Sequence, residues 1–160
     1  MCFGRNMAEG WLIVDRLKTA FFVIICPERG EIVYVRYNPN PDRRNVGDCT
    51  VRAISKALDQ DWETTYTGLA LEGFCRCDMP SANHIWGAYL KRHGYRRSLI
   101  PDECPDCYSV SEFAADHPVG TYILALSGHV VCVQDGDYYD TWDSGGEVPL
   151  YYWQRKDEMT

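Results

Sequence analysis

The sequence lacks a surplus of positive charge, a long hydrophobic run and an internal repeat. Its 160 residues include 16 lysines and arginines against 23 aspartates and glutamates, so the formal net charge is −7. No basic stripe compensates for this charge, which argues against a nucleic-acid partner. The apolar run Ala20–Cys26 is far shorter than the roughly 20 residues that cross a membrane. We therefore expect neither a nucleic-acid-binding protein nor a membrane protein.

The chain is rich in cysteine, with eight residues, which in a short secreted protein would indicate a disulfide framework. No cleavable signal peptide is recognisable, and a chain of this length can build a core without cross-links. We therefore expect reduced thiols and a cytoplasmic location. The pairs Cys75-Arg76-Cys77 and Cys104-Pro105-Asp106-Cys107 could together hold a structural zinc. The alternative, which we adopt, is that these thiols are unligated and that the protein needs no metal or other cofactor.

Length and a hydrophobic content of 46% predict one domain with a real core. Residues 32–160 are expected to form that domain. Residues 1–31 are expected to be an N-terminal appendage or an extra strand built on the apolar run. Two short basic clusters, Arg43-Arg44 and the stretch 91–97, are interpreted as solvated faces.

Helical and strand-like patterns occupy different parts of the chain. Apolar periodicity and capping residues predict helices that begin near Cys49, after Asp61, near Ser81 and after Ser109. An extended segment, Val33–Tyr37, precedes them. Strand-like runs follow the helices and are joined by Ser-Gly and Asp-Gly turns; they are Tyr122–Leu126, Val130–Val133, Tyr138–Trp142 and Val148–Trp153. The order predicts an α+β fold in which helices pack on a C-terminal antiparallel sheet.

The segment Gly47-Asp48-Cys49 places a thiol where a turn gives way to a helix. Gly47 permits the tight turn, Asp48 is a favourable N-cap, and the apolar periodicity starts at Val51. A helix N-terminus carries partial positive charge and unpaired N–H groups, so it lowers the pKa of a thiol and can bind an oxyanion. Cys49 is therefore a candidate nucleophile, although many cysteines are simply small core residues.

A histidine and two aspartates follow in the strand-rich part. His129 opens one strand, and a hairpin about Asp135-Gly136-Asp137 would bring the end of the next strand beside it. An imidazole there can accept the thiol proton, and a carboxylate beside its other nitrogen can orient it. We expect Asp143 to be that carboxylate. Asp140 is the alternative, because strand alternation sends the two aspartates to opposite faces and only one can meet His129.

These segments, GDCTVRAI and SGHVVCVQDGDYYDTWDSG, and their order resemble the papain-like cysteine peptidase superfamily in its small bacterial and phage branches. The resemblance covers Val33 to Trp153 and includes a GDC-x-x-RA opening. It implies a papain-like fold, with Cys49 as nucleophile, His129 as base and acid, and Asp143 as the orienting carboxylate. Arg43 stands where many members place an oxyanion-hole glutamine, so Asn45 or the Cys49 backbone N–H is expected to serve instead.

The expected function is a cysteine hydrolase, a peptidase or isopeptidase that cleaves a protein or peptide through a thioester acyl-enzyme. Acyl transfer and deamidation can use the same three residues. The competing interpretation is a papain-like scaffold with weak catalysis that binds and inhibits another protein. Thiol reactivity separates these interpretations, because a binding scaffold has no need of a lowered thiol pKa.

Overall fold

The computed structural model describes residues 32–100 and 107–156 of the chain. Three helices follow the first strand and four strands end the chain's described part, and each element is labelled by its position along the chain. The helices are α1 (Cys49–Leu58), α2 (Trp62–Arg76), α3 (Asn83–Arg92) and α4 (Val110–Asp116). The strands are β1 (Tyr34–Arg36), β2 (Tyr95–Leu99), β3 (Thr121–Leu126), β4 (His129–Gln134), β5 (Asp137–Asp140) and β6 (Tyr151–Arg155).

Helices α2 and α4 begin at their predicted capping residues. The Asp61 carboxylate accepts the Thr64 N–H at 2.6 Å, and Ser109 with Glu112 forms a capping box at the start of α4. Each device satisfies N–H groups that have no partner inside the helix. Helix α2 continues to Arg76 and stops at Cys77, whose φ of 55° is left-handed.

One six-stranded sheet runs through the described residues in the order β1-β5-β4-β3-β6-β2. Strands β3, β4 and β5 form an antiparallel meander, β6 returns beside β3, and β2 pairs with β6. Strand β1 pairs with β5 in parallel. The α+β class is therefore confirmed. The expectation of a purely antiparallel sheet is wrong, because β1, which precedes the helices in the chain, lies at one edge and runs parallel to β5.

Both faces of this sheet are covered. On one face α1, α2 and α3 pack on β3, β4 and β6 through fully buried side chains that include Ile54, Leu69 and Trp86. On the other face α4 packs through Val110 and Phe113. Burial of each such side chain contributes about 1.5–3 kcal/mol, so the sheet holds α1 firmly at the point where the candidate nucleophile lies.

Residues 1–31, predicted to be an appendage or an extra strand, lie outside the described residues. Within residues 32–100 and 107–156, no helix combines the length and the apolar character that a membrane span requires.

Candidate active site

The loop between β1 and α1 brings Cys49 to the first turn of α1. Asn40, which is buried, shapes this loop: its side-chain oxygen accepts the N–H of Asp42 at 3.1 Å and that of Arg44 at 3.3 Å. Arg43 between them adopts a left-handed φ of 52°. The loop then enters α1 at Cys49, as predicted, and leaves its thiol half-buried.

Asp48 precedes the helix but does not cap it with its side chain. Its carboxylate turns to Arg52 and Trp62 instead: Oδ1 contacts the Arg52 guanidinium, and Oδ2 accepts the Trp62 indole N–H at 2.9 Å. The expectation that Asp48 caps α1 through its carboxylate is therefore wrong. Because the first N–H groups of a helix have no intrahelical partner, this arrangement leaves the N-terminus beside Cys49 free to bind an oxyanion.

His129 opens β4, and its Nε2 lies 2.5 Å from Oδ2 of Asp140 at the end of β5. The register explains the contact, because the pairing of Cys132 with Tyr139 makes His129 and Asp140 diagonal neighbours on one face of the hairpin. Asp140 is 2% exposed, and its Oδ1 also accepts the Thr141 N–H at 2.7 Å. A hydrogen bond to the backbone therefore helps to hold the carboxylate in the position in which it contacts the imidazole.

Asp143, the carboxylate favoured by the sequence, lies elsewhere. It is exposed, and its Oδ1 accepts the Tyr138 hydroxyl at 2.6 Å and the Gly145 N–H at 3.1 Å. The strand ends at Asp140, so the chain has already turned away when it reaches residue 143. The structure thus corrects the choice between the two aspartates: Asp140 contacts His129, and Asp143 stabilises the following turn.

His129 acts on the pKa of the Cys49 thiol through hydrogen bonding and charge, and the thiol acts on the pKa of His129 in the same way. Burial alone would raise the pKa of the Cys49 thiol, but this hydrogen bonding, the imidazolium charge and the Val130 backbone N–H outweigh it, so the pKa is lowered. Burial opposes the charge on His129 as well, yet its bonds to Asp140 and Cys49 raise its pKa to about 9. The arrangement therefore favours a thiolate facing an imidazolium at neutral pH.

The pKa of Asp140 is shifted in the direction that supports this pair. Burial would raise it, but the hydrogen bond and positive charge of His129 and the Thr141 N–H lower it overall. The carboxylate stays ionised at neutral pH and stabilises the imidazolium. The three groups form one chain of charge-assisted contacts from sulfur to carboxylate.

Arg52 is a site residue that the sequence analysis missed. It is 5% exposed and lies one helical turn after Asp48. Its Nη1 contacts Asp48, and its Nη2 lies 3.3 Å from Oδ1 of Asp140. The signal was present, since Asp48 and Arg52 have the spacing of a helical ion pair. One guanidinium thus joins the start of the helix that carries Cys49 to the carboxylate that holds His129.

Trp142 forms an exposed wall beside the histidine. Its ring centre lies 5.4 Å from that of His129, and the side chain is 45% exposed. An exposed indole next to a half-buried imidazole shields it from water and offers an apolar surface to a bound molecule. In the sequence, Trp142 marks only the end of the predicted strand Tyr138–Trp142.

The remaining candidates lie apart from this chain of contacts. Asn45 is exposed in the loop before α1, and its role in an oxyanion hole stays a prediction. Cys75, Cys77 and Cys107 are exposed free thiols, and Cys104 lies outside the described residues. No group of three or more histidine, cysteine or acidic side chains with metal-binding geometry occurs in the part of the chain that the structure describes.

Comparisons with protein-family models, curated proteins and solved structures find no match to this chain. The chemistry must therefore be judged from the site. A thiolate at a helix N-terminus, an imidazolium within hydrogen-bonding reach and a buried carboxylate behind it can together attack a carbonyl carbon and protonate a leaving group.

Proposed function

We propose that the protein is a cysteine hydrolase that cleaves peptide or isopeptide bonds through a papain-like Cys49–His129–Asp140 triad. The observation that carries the proposal is the hydrogen bond between His129 and Asp140, together with the interaction of His129 with Cys49 that lowers the pKa of the thiol. A buried cysteine that only fills space has no use for an imidazole on one side or for a lowered pKa. Of the functions considered, a nucleophilic hydrolase accounts best for all three groups.

The reaction begins with the thiolate. Cys49 Sγ attacks the substrate carbonyl carbon, and the carbonyl oxygen becomes an oxyanion that the N–H groups at the start of α1 stabilise. His129 is protonated at neutral pH because its pKa is raised to about 9. It gives its proton to the leaving amine as the carbon–nitrogen bond breaks. The products of this half-reaction are a free amine and a thioester on Cys49.

Water completes the cycle. Neutral His129 takes a proton from a water molecule, which attacks the thioester carbonyl and expels the Cys49 thiolate. A carboxylic acid leaves, and the imidazolium–thiolate pair is restored. Throughout both steps the Asp140 carboxylate stabilises the charge of His129 and keeps Nε2 engaged, so that the other ring nitrogen faces the sulfur.

The test uses p-nitrophenyl acetate, an activated ester that any such nucleophile can accept. We expect a burst of p-nitrophenol, an acetyl adduct on Cys49 located by mass spectrometry, and slower turnover. Cys107→Ala serves as the matched control, since it removes an exposed free thiol and should leave the burst unchanged. A burst that persists in Cys49→Ala, or no acetylation of Cys49 in the wild type, contradicts the proposal.

A further inference from the structure

Strand β2 forms one outer edge of the sheet. It pairs with β6 on one side, and within the described residues no strand pairs with its other side. Leu99 at its end is 70% exposed. Proteins usually block such an edge, because its free N–H and C=O groups can accept another strand. An extended segment from outside can therefore add to the sheet here.

The surroundings of this edge are strongly basic. A cavity of about 510 Å³ and a second of about 590 Å³ share Lys91 and Arg97 in their walls, and the second also includes Arg96 and Lys156. None of these four side chains forms an ion pair within residues 32–100 and 107–156. These four side chains are positively charged in a chain whose net charge is −7.

Two acidic side chains lie near this region within the described residues: Asp78 contacts His84 in the wall of the first cavity, and Glu72 contacts two arginines. Glu72 is 2% exposed and contacts both Arg76, which lines the first cavity, and Arg92. One carboxylate therefore faces two guanidinium groups, so these three side chains carry a net positive charge. A patch of unpaired cations in an acidic protein attracts anions.

The structure favours a peptide over a nucleic acid as the source of those anions. Single-stranded nucleic acids bind by stacking their bases on free aromatic faces. Here the Tyr151 ring has Arg97 at 4.9 Å from its centre and Trp86 stacked at 6.2 Å, and Trp153 is 3% exposed. The aromatic faces are already occupied, whereas the backbone of β2 is open to strand addition.

We propose that the β2 edge binds an extended acidic segment of another protein as an added strand. In the register Arg97 pairs with Trp153, which packs under α3, so Arg97 and Lys91 lie on the helix-covered face. Side chains alternate along a strand, and acidic residues are therefore required at every second position of the bound segment. This binding does not depend on the chemistry of Cys49.

The test measures fluorescence anisotropy with a short labelled peptide of alternating glutamate and threonine. Three comparison probes keep its length: one with glutamine for glutamate, one with proline for threonine, and an oligothymidylate. Glutamine removes the charge, and proline removes backbone donors that strand addition needs. We expect binding only of the glutamate–threonine peptide, weakening as salt is added. Equal binding of the proline peptide, or tighter binding of the oligonucleotide, overturns the proposal.

Charge reversal locates the site on the protein. Arg97→Glu and Lys91→Glu should each weaken the peptide by at least about tenfold. Arg36→Glu is the matched control, because Arg36 is an exposed arginine on β1 at the opposite edge of the sheet. It makes the same change in net charge and should alter affinity by less than about threefold. If Arg36→Glu weakens the peptide as much as Arg97→Glu does, or if Arg97→Glu has no effect, the peptide binds elsewhere.

Discussion

Cys49 and Cys132 lie on α1 and β4, two elements that pack against each other, yet their thiols have opposite properties. Cys49 begins a helix and faces His129, which lowers its pKa. Cys132 is fully buried among apolar side chains, and burial raises its pKa to about 12. Cys49, at the start of α1, is thus a candidate nucleophile. Cys132, only three positions after His129 in β4, is an inert core residue.

The difference shows what reactivity requires in this fold. Both thiols lose contact with water, and burial disfavours both thiolates. At Cys49 the charge and hydrogen bonding of His129, together with the Val130 N–H and the charge of Arg52, exceed this cost, whereas at Cys132 the charge of Lys56 does not. Variants that remove the interactions of Cys49 and His129 one at a time test this difference.

His129→Ala should make Cys49 resemble an ordinary thiol. Without the imidazolium the thiolate loses its main counter-charge, and a thiol of ordinary pKa is about 1% ionised near pH 6.5. We expect alkylation of Cys49 by iodoacetamide at that pH to slow by about a hundredfold. Unfolding in urea, followed in parallel, tells loss of reactivity apart from loss of structure. An unchanged rate in a folded variant would mean that His129 does not activate Cys49.

Arg52→Met should destabilise the protein more than any other change to the site. Removal of the buried guanidinium leaves the buried carboxylates of Asp48 and Asp140 without the cation that they share. Breaking a buried ion pair in this way costs about 3–5 kcal/mol of unfolding free energy. Chemical denaturation measures the loss. Arg52→Lys keeps a charge but cannot reach both carboxylates in the same planar geometry, so we expect it to recover part of the stability. A loss below about 1 kcal/mol in Arg52→Met contradicts the role given to this network.

The aspartates provide a matched pair. Asp140→Asn removes the charge that helps raise the pKa of His129 to about 9, so the imidazolium should deprotonate at lower pH. The alkaline limb of the acylation (burst) rate then moves from near pH 9 toward the ordinary histidine value, and the burst rate at pH 8 falls by about tenfold or more.

Asp143→Asn is the control for this shift, because its carboxylate contacts Tyr138 and Gly145 and not His129. It should leave the alkaline limb in place. If Asp143→Asn moves the limb and Asp140→Asn does not, the sequence-based assignment was right and the geometric one is wrong.

Cys132→Ala gives the smallest expected effect. It removes one buried sulfur and should cost about 1 kcal/mol of unfolding free energy through a small cavity. The rate of Cys49 alkylation should not change. A marked change in that rate would show that the two thiols are linked through α1 and β4, and the contrast between them would no longer hold.

Much of the fold could be predicted from local signals. Cys49, Asp61 and Ser109 mark helix starts that the structure confirms, since caps and periodicity act within a few residues. Strand β2 was missed because Arg96 and Arg97 look like a solvated cluster, and an edge strand needs little apolar surface. The parallel pairing of β1 with β5 was missed because it depends on packing between segments about a hundred residues apart.

The site was predicted only in part, because local signals mark some of its residues and long-range packing decides the others. Cys49 and His129 follow from positions at element ends, and the structure brings them together. The choice of Asp140 over Asp143 depends on where β5 ends, and strand boundaries are poorly marked in sequence. Arg52 was overlooked because its partner Asp48 was taken for a cap, so its link to Asp140 could be found only from the packed structure.

The measurement that tests the central claim most directly is the pH dependence of iodoacetamide alkylation of the folded wild type. Mass spectrometry follows Cys49, exposed Cys107 and buried Cys132 in one sample. The ion-pair account predicts that Cys49 reacts well below pH 8, that Cys107 follows an ordinary thiol curve, and that Cys132 stays unmodified until the protein unfolds. If Cys49 reacts no faster than Cys107 across the acid range, no thiolate–imidazolium pair exists and the proposed hydrolase has no nucleophile.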